Sequence, residues 1–270
     1  MDPIEVVVPE RFKFLTPVEA ALLRVGSSGD GGYVVGRESL RRTNCLLSLG
    51  IATDWSFDSD FLRHRPMIRY IACDRGSGTL VHLAGALRNL ARPRGWRAAN
   101  KSLSTALRFF LHVPPWSRRR KFVRKWIRAK IEDAKRDLRW SDVLDLLATS
   151  SPIFLKMDIE GGEYELISEI AVRESASPRT FAGLCIEFHD IRTRELEFIS
   201  SVNILLEHFA IVHLHANNCV ALSGDFPEVL EITFAAKADA STTRVLKLPN
   251  QALDAPNDSS AQDFSLQFLE

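Results

Sequence analysis

A doubly wound α/β sheet is the fold this sequence predicts, and two patterns predict it. Six short β-rich runs alternate with helical patterns along the chain. Most of those runs are apolar almost throughout, as expected of strands buried on both faces of a parallel sheet. In order they are NCLLSLGI (Asn44–Ile51), MIRYIACD (Met67–Asp74), PIFLKMDI (Pro152–Ile159), FAGLCIEFHD (Phe181–Asp190), FAIVHLHANN (Phe209–Asn218) and EVLEITFAAK (Glu228–Lys237). Helical patterns between them include Thr79–Leu90, Gly162–Ile170 and Arg192–His208. The 270 residues are enough for one α/β domain spanning 1–270 with a sizeable core. After Ala238 the chain is polar and contains proline, which by composition alone reads as a tail.

One interval breaks the rhythm. Asp74 and Pro152 are separated by 77 residues, too many for a single crossover. Within it Phe122, Trp126, Ile127, Ile131, Ala134 and Leu138 fall at helical spacing with basic side chains between them. Pro114-Pro115 would stop any helix before them. The pattern predicts a basic helical insertion over 88–140, a cationic amphipathic helix that acts as a lid or a docking surface. It also explains a misleading total. The chain has 35 basic and 34 acidic side chains, but Arg88–Arg139 alone holds 17 basic and three acidic ones. The remainder is correspondingly acidic, so neutrality overall does not exclude an anionic partner.

Composition excludes other classes. Hydrophobic residues make up 46% and charged residues 26% of the chain, ordinary for a globular protein and wrong for disorder or collagen. MDPIEVVVPERF has early acids and no basic n-region, so it does not read as a secretory signal. No run of 18 apolar residues reads as a membrane span. Cys45, Cys73, Cys185 and Cys219 sit in apolar, strand-like runs without a C-x-x-C spacing, which predicts buried free thiols and a cytoplasmic setting.

In such sheets ligands bind beyond the carboxyl ends of the strands, so polar residues there are the informative ones. The first run ends in Ser48-Leu49-Gly50, where the glycine lets backbone approach a ligand and Asp54 or Ser56 caps the next helix. A plain turn with an N-cap accounts for it equally well, and it is not the G-x-G-x-x-G of dinucleotide sites. Asp74 ends the second run before Gly76 and Gly78, placed either to accept two ribose hydroxyls or to form an Asx turn. LKMDIEGGEYELI is the sharpest signal, because burying Lys156 or Asp158 without a partner is costly. Glu163 there reads as a helix-opening acid. Glu187 and His189, at i and i+2, point the same way. Beside Asp158 they could form a general base with its orienter, or bind a divalent cation through oxygen and nitrogen. His213 and His215 alternate similarly before Asn217 and Asn218. Asp30-Gly31-Gly32-Tyr33 is either a hairpin turn or a loop closing over a ligand. Asp58-Ser59-Asp60 looks like the D-x-D of nucleotide-sugar transferases but falls in a predicted helix, and no G-x-S-x-G elbow exists.

Taken together, RVGSSGDGGYVV (Arg24–Val35), LLSLGIATDWSFD (Leu46–Asp58), VLDLLATSSPIFLKMDIEGGEYELI (Val143–Ile167), IEFHDI (Ile186–Ile191), HLHANN (His213–Asn218) and LDAPND (Leu253–Asp258) resemble the FkbM-type, S-adenosylmethionine-dependent methyltransferases. The resemblance implies a class I methyltransferase sheet, Rossmann-like, with seven strands and the last antiparallel. It also implies cofactor-binding roles for Ser48 and Gly50 against the methionine part, Asp74 at the ribose and Asp158 toward the sulfonium. The Asp30–Tyr33 loop, with Gly32, would close the pocket, and Leu253–Asp258 would be ordered. The Asp74–Pro152 interval lies largely outside the resemblance.

The function expected is O-methylation of a sugar or another small hydroxylated molecule, with the catalytic work assigned to His189, Asp158 and Glu187, and with a divalent metal as an option. Saccharides and glycolipids are the acceptors considered. A different class is a non-catalytic sheet docking on anionic membrane or RNA through 88–140, peripheral to the inner membrane face. Nucleic acid is the weaker partner, because Trp96, Trp116, Trp126 and Trp140 fit a helix core about as well as base stacking.

Overall fold

The computed structural model describes residues 2–90, 96–147, 151–250 and 252–269. The chain begins with β1 (Ile4–Val7), the hairpin of β2 (Leu22–Val25) and β3 (Tyr33–Gly36), and α1 (Arg37–Arg42). β4 (Cys45–Leu49), α2 (Ser56–His64) and β5 (Arg69–Cys73) follow. A helical pair comes next, α3 (Thr79–Leu90) and α4 (Trp96–His112), then β6 (Arg120–Val123), β7 (Trp126–Arg128) and β8 (Asp137–Arg139). The second half runs through α5 (Trp140–Leu147), β9 (Ile153–Met157), α6 (Glu163–Ala176), β10 (Phe181–Phe188), α7 (Glu195–Leu206), β11 (Phe209–Ala216) and β12 (Leu230–Ala236). It closes with β13 (Lys247–Leu248) and β14 (Phe264–Gln267).

Seven strands form the central sheet in the order β11-β12-β10-β9-β4-β5-β6. β10, β9, β4, β5 and β6 pair in parallel, and β12 is antiparallel to both neighbours. The continuous apolar runs are explained by this arrangement: every residue of β4, β9 and β10 is buried. Alternation divides them between the two faces. Cys45, Leu47, Leu49, Ile153, Leu155 and Met157 join one core with α5, α6 and α7, whereas Leu46, Tyr70 and Phe154 join a second core with Phe57, Phe61 and Phe109. The predicted α/β class, the Rossmann-like sheet and its antiparallel last strand are all present.

The 88–140 segment differs from expectation. Residues 91–95, inside it, lie outside the described residues, as do 148–150 of the Val143–Ile167 resemblance. The helix of this interval is α4, which ends at His112 before Pro114-Pro115. Phe122–Leu138 is not a helix: β6 pairs in parallel with β5, from Tyr70↔Arg120 to Cys73↔Val123, and β7 pairs with β8. The open edge of β5 needs a partner for its backbone groups, and that tertiary requirement overrides a local helical spacing. Arg120 and Lys121 then charge the new edge of the sheet.

Two further expectations change. The C-terminal stretch is not a tail, because β14 pairs in parallel with β1 (Ile4↔Phe264) and antiparallel with β13. Composition could not show this; the partner strand is at the other end of the chain. Cys45, Cys73 and Cys185 are buried thiols as expected, but Cys219 is exposed in the turn after β11. Among the described residues no helix is long and apolar enough to cross a membrane.

Candidate active site

The strand order reverses between β4 and β9, which lead to opposite halves of the sheet, and a cavity of about 410 Å³ opens there at the carboxyl ends. Leu49, Gly50, Cys73 and Asp74 form one wall, Asp158–Gly162 a second, and Lys125–Arg128 from the β6–β7 region a third. The third wall was invisible to the helical reading of that segment.

Gly50 holds the first two walls together. Its φ is +72°, and a Cβ there would lie 1.6 Å from the carbonyl oxygen of Asp158. The loop is tied on both sides, Gly50 N–H to the Cys73 carbonyl at 3.0 Å and Asp158 N–H to the Leu49 carbonyl at 3.0 Å. Asp74 completes the tie. Its Oδ2 accepts the Ile51 and Ala52 amides at 3.0 and 2.7 Å, and its Oδ1 accepts those of Gly76 and Ser77 at 2.6 and 3.0 Å. The Asx turn is therefore realised, and four backbone donors occupy the carboxylate's lone pairs. Asp74 still lines the cavity, as a brace for the β4 loop.

Other cofactor candidates are placed elsewhere. Ser48 is fully buried and donates its hydroxyl to Asp58, so it supports the loop from beneath and does not line the cavity. Asp30 and Gly32 belong to the β2–β3 hairpin, outside the cavity lining. There Asp30 N–H donates to the Asn257 carbonyl at 3.1 Å, which fastens the hairpin to the ordered Leu253–Asp258 segment. Asp54 accepts the Ser56 amide at 2.8 Å at the start of α2, and Asp58-Ser59-Asp60 is helical as expected.

The expected catalytic trio does come together. The ligand-type atoms of Asp158, Glu187 and His189 lie within 4.8 Å of one another. His189 Nε2 stands 3.9 Å from Asp158 Oδ1, 3.7 Å from Glu187 Oε1 and 3.6 Å from Glu160 Oε2. Each member is held from behind. Lys156 Nζ, nearly buried, donates to Asp158 Oδ2 at 3.0 Å and to the Gly50 carbonyl at 2.7 Å. Tyr33 O–H donates to Glu187 Oε2 at 3.0 Å, and Asn217 Nδ2 to Glu187 Oε1 at 2.9 Å. His189 Nδ1 faces Glu163 Oε1 at 3.1 Å, while the Tyr164 hydroxyl anchors the His189 carbonyl at 2.6 Å.

Glu163, not Glu187, is thus the group that orients the imidazole. The sequence placed it in the first helical turn, where the same oxygen also accepts the Ile159 amide at 3.0 Å. Its position three residues beyond Glu160, across the Gly161-Gly162 turn, was the available signal. A helix-opening acid and an orienting acid look alike in sequence.

Electrostatics follow from this packing. Burial lowers the His189 pKa, but the Glu163 hydrogen bond and the charges of Glu163, Glu187 and Asp158 more than offset it, so the imidazole holds its proton more tightly than usual. Burial, then repulsion by Asp158 and Glu231, raises the Glu187 carboxyl. Burial opposes the charge on Lys156, yet Asp158 and Asp58 keep it raised. Chemically, the trio can accept a proton at Nε2 or offer two oxygens and a nitrogen to a divalent cation.

His213 and His215 lie apart from this trio. His213 Nε2 is 3.0 Å from Asp254, and His215 is 3.5 Å from Asp254 and 3.7 Å from Asp263, in a buried network under the C-terminal segment. Burial disfavours the imidazolium of His215, but Asp254, Glu231 and Asp263 together raise its pKa to about 9. These histidines tie the C-terminal segment to the sheet.

No family model matches this chain, and no curated protein does. Solved structures of similar fold include a chain of a fibrillarin/Nop5p complex, 12% identical, covering 72% of this chain and 73% of that one, with a TM-score of 0.35. A precorrin-6y C5,15-methyltransferase from Geobacter metallireducens is 14% identical over 74% of this chain and 85% of its own, TM-score 0.36. A 16S rRNA (adenine(1408)-N(1))-methyltransferase from Catenulisporales acidiphilia is 12% identical over 79% and 97%, TM-score 0.31.

Proposed function

We propose that this chain is an S-adenosylmethionine-dependent methyltransferase acting on a hydroxyl of a sugar or another small molecule. The observation that carries this reading is the cavity at the strand-order reversal, walled by Gly50, Asp74 and Asp158 from three adjacent strand ends. Its volume of about 410 Å³ suits a small ligand, Trp126 and Ile127 give it an apolar side, and Asp158 offers a carboxylate to a cation. The residues present fit the cofactor. Gly50 would lie against its nucleoside side in the loop that Asp74 braces, and Asp158 would face its cationic sulfur. When bound, the cofactor supplies an electrophilic methyl group.

The chain's own residues do the rest. Gly50 and Asp74 fix the cradle, so that an acceptor can be held in near-attack geometry. His189 Nε2 takes the acceptor's hydroxyl proton, with Glu163 keeping Nδ1 toward itself and Nε2 toward the carboxylates. Because the surrounding acids hold His189 protonated, proton removal improves as pH rises. Three buried free thiols support a reducing, cytoplasmic setting for this chemistry.

A second reading rests on the same trio. Asp158 Oδ1, Glu187 Oε1 and His189 Nε2 converge while Lys156, Tyr33 and Glu163 hold their far sides, which is the outer shell a divalent cation needs. Two titrations test both readings. Calorimetry with S-adenosylmethionine should show binding, weakened by Asp74→Ala; no heat would sink the methyltransferase reading. Magnesium or manganese should bind the wild type and not a Glu187→Gln variant; a metal affinity indifferent to that change would remove the cation.

A further inference from the structure

α3 and α4 pack against each other with the wrong residues inside. Gly85, Ala86, Ala99, Ser102 and Ala106 occupy inward or half-buried positions, with Gly85 beside the Ser102 hydroxyl and Asn89 Nδ2 donating to Ser102 Oγ at 3.3 Å. Phe109 turns into the sheet's second core, but the leucines point outward. On α3, Leu80 is 76% exposed and Leu87 is 70% exposed; on α4, Leu103, Leu107 and Leu111 are 52%, 60% and 61% exposed. The spacing is not random: Leu80, Leu83 and Leu87 follow i, i+3, i+7, and Leu103, Leu107 and Leu111 follow i, i+4, i+8. Single exposed leucines need no explanation, but a stripe on each of two adjoining helices does.

The charge around these stripes selects the partner. From Arg75 to Ile131 the sequence contains no Asp or Glu, and Arg88, Arg97, Lys101 and Arg108 lie on the two helices themselves. Trp96 and Trp116, 58% and 69% exposed, flank α4 at its two ends. Leucines interleaved with cations and flanked by tryptophans form the pattern of a helix lying in the plane of a bilayer surface. A second copy of the same face would bring like charges together. RNA would call for stacking rings along the stripes, where this surface offers leucines and carries exposed tryptophans only at the ends of α4.

We infer that the α3–α4 pair is a docking surface for an anionic lipid bilayer. The leucines enter the acyl boundary while Arg88, Arg97, Lys101 and Arg108 meet the headgroups. The third wall of the cavity, Lys125–Arg128, belongs to the same acid-free segment.

Sedimentation of the full chain with vesicles of phosphatidylcholine, with or without phosphatidylglycerol, tests the inference. The wild type should bind vesicles containing phosphatidylglycerol and only weakly those of phosphatidylcholine alone. A Leu103→Gln, Leu107→Gln, Leu111→Gln variant, checked for an unchanged melting temperature, should bind about tenfold or more weakly. An Arg97→Gln, Lys101→Gln variant should lose roughly fivefold per charge at low salt. Equal binding to both vesicle types would overturn the inference, as would a leucine variant that binds like the wild type. So would displacement from vesicles by polyuridylate with no dependence on the leucines, or a leucine-dependent dimer in sedimentation velocity without lipid.

Discussion

The strand-end site and the α3–α4 pair are both dense in charge, and they treat it in opposite ways. At the site, every functional group has a fixed partner behind it: Lys156 behind Asp158, Tyr33 and Asn217 on Glu187, Glu163 on His189. Among the described residues, no cation from Arg88 to Lys125 has a carboxylate within ion-pair distance. Some of them bond to backbone carbonyls, as Arg120 does with His112 and Arg124 with Arg75, and Arg119 reaches the Met67 sulfur. Buried charge has to be paired and becomes preorganised, whereas exposed charge can stay free to meet a partner. One region fixes its charges in place, and the other leaves them exposed.

The sharpest way to break this contrast is at Gly50. Gly50→Ala places a Cβ on the Asp158 carbonyl at a left-handed φ, so we expect loss of S-adenosylmethionine binding and a destabilisation of about 3 kcal/mol or more, read by calorimetry and urea midpoints. A variant that binds normally would show that the cradle is not rigid. Next in size, His189→Ala should lower turnover of a hydroxylated acceptor by roughly 10²–10⁴ with cofactor affinity nearly unchanged. Loss of cofactor binding instead would assign His189 to the cradle.

The buried network under the C-terminal segment extends the comparison to stability. His215 is raised to about 9 in the fold against an ordinary 6.5, so its contribution is complete below pH 6.5 and is lost as pH rises through about 9. The wild type should lose on the order of 3 kcal/mol across that window, and His215→Asn should flatten the decline. An unchanged pH dependence of the urea midpoint in the variant would remove His215 from the latch. A smaller effect is expected at the orienting acid. Glu163→Gln removes the charge that helps raise His189 and leaves only a neutral amide oxygen to accept from Nδ1, so the rising limb of the kcat–pH profile should move to lower pH. A limb that stays put would give the proton to another group. Smallest of all, the exposed Leu103, Leu107 and Leu111 should tolerate glutamine within about 0.5 kcal/mol each, as melting curves would show. A large loss there would mean the helices lean on those leucines and the two regions are less different than they look.

Much of the site was legible because strand ends are legible. Asp158, Glu187 and His189 sit at the ends of apolar runs, and period-two alternation places Glu187 and His189 on one side. Glu163 was legible as a residue but not as a partner of His189, since that contact spans 26 positions and depends on how α6 lies against β10. Ser48 illustrates the reverse. Its place in the loop was right, but its hydroxyl was already taken by Asp58 from α2.

What the sequence determined by itself was the alternation of strand and helix, the burial of the strands, and a concentration of positive charge between Arg88 and Arg139. These are local properties, set by side-chain period and composition. Only the tertiary structure decided that Phe122 belongs to an edge strand, that the C-terminal stretch pairs with β1, and that a stripe of leucines faces outward on each of α3 and α4. Each of those outcomes depends on which surface is nearby to satisfy backbone groups or bury apolar area, and that neighbour is chosen by the whole fold.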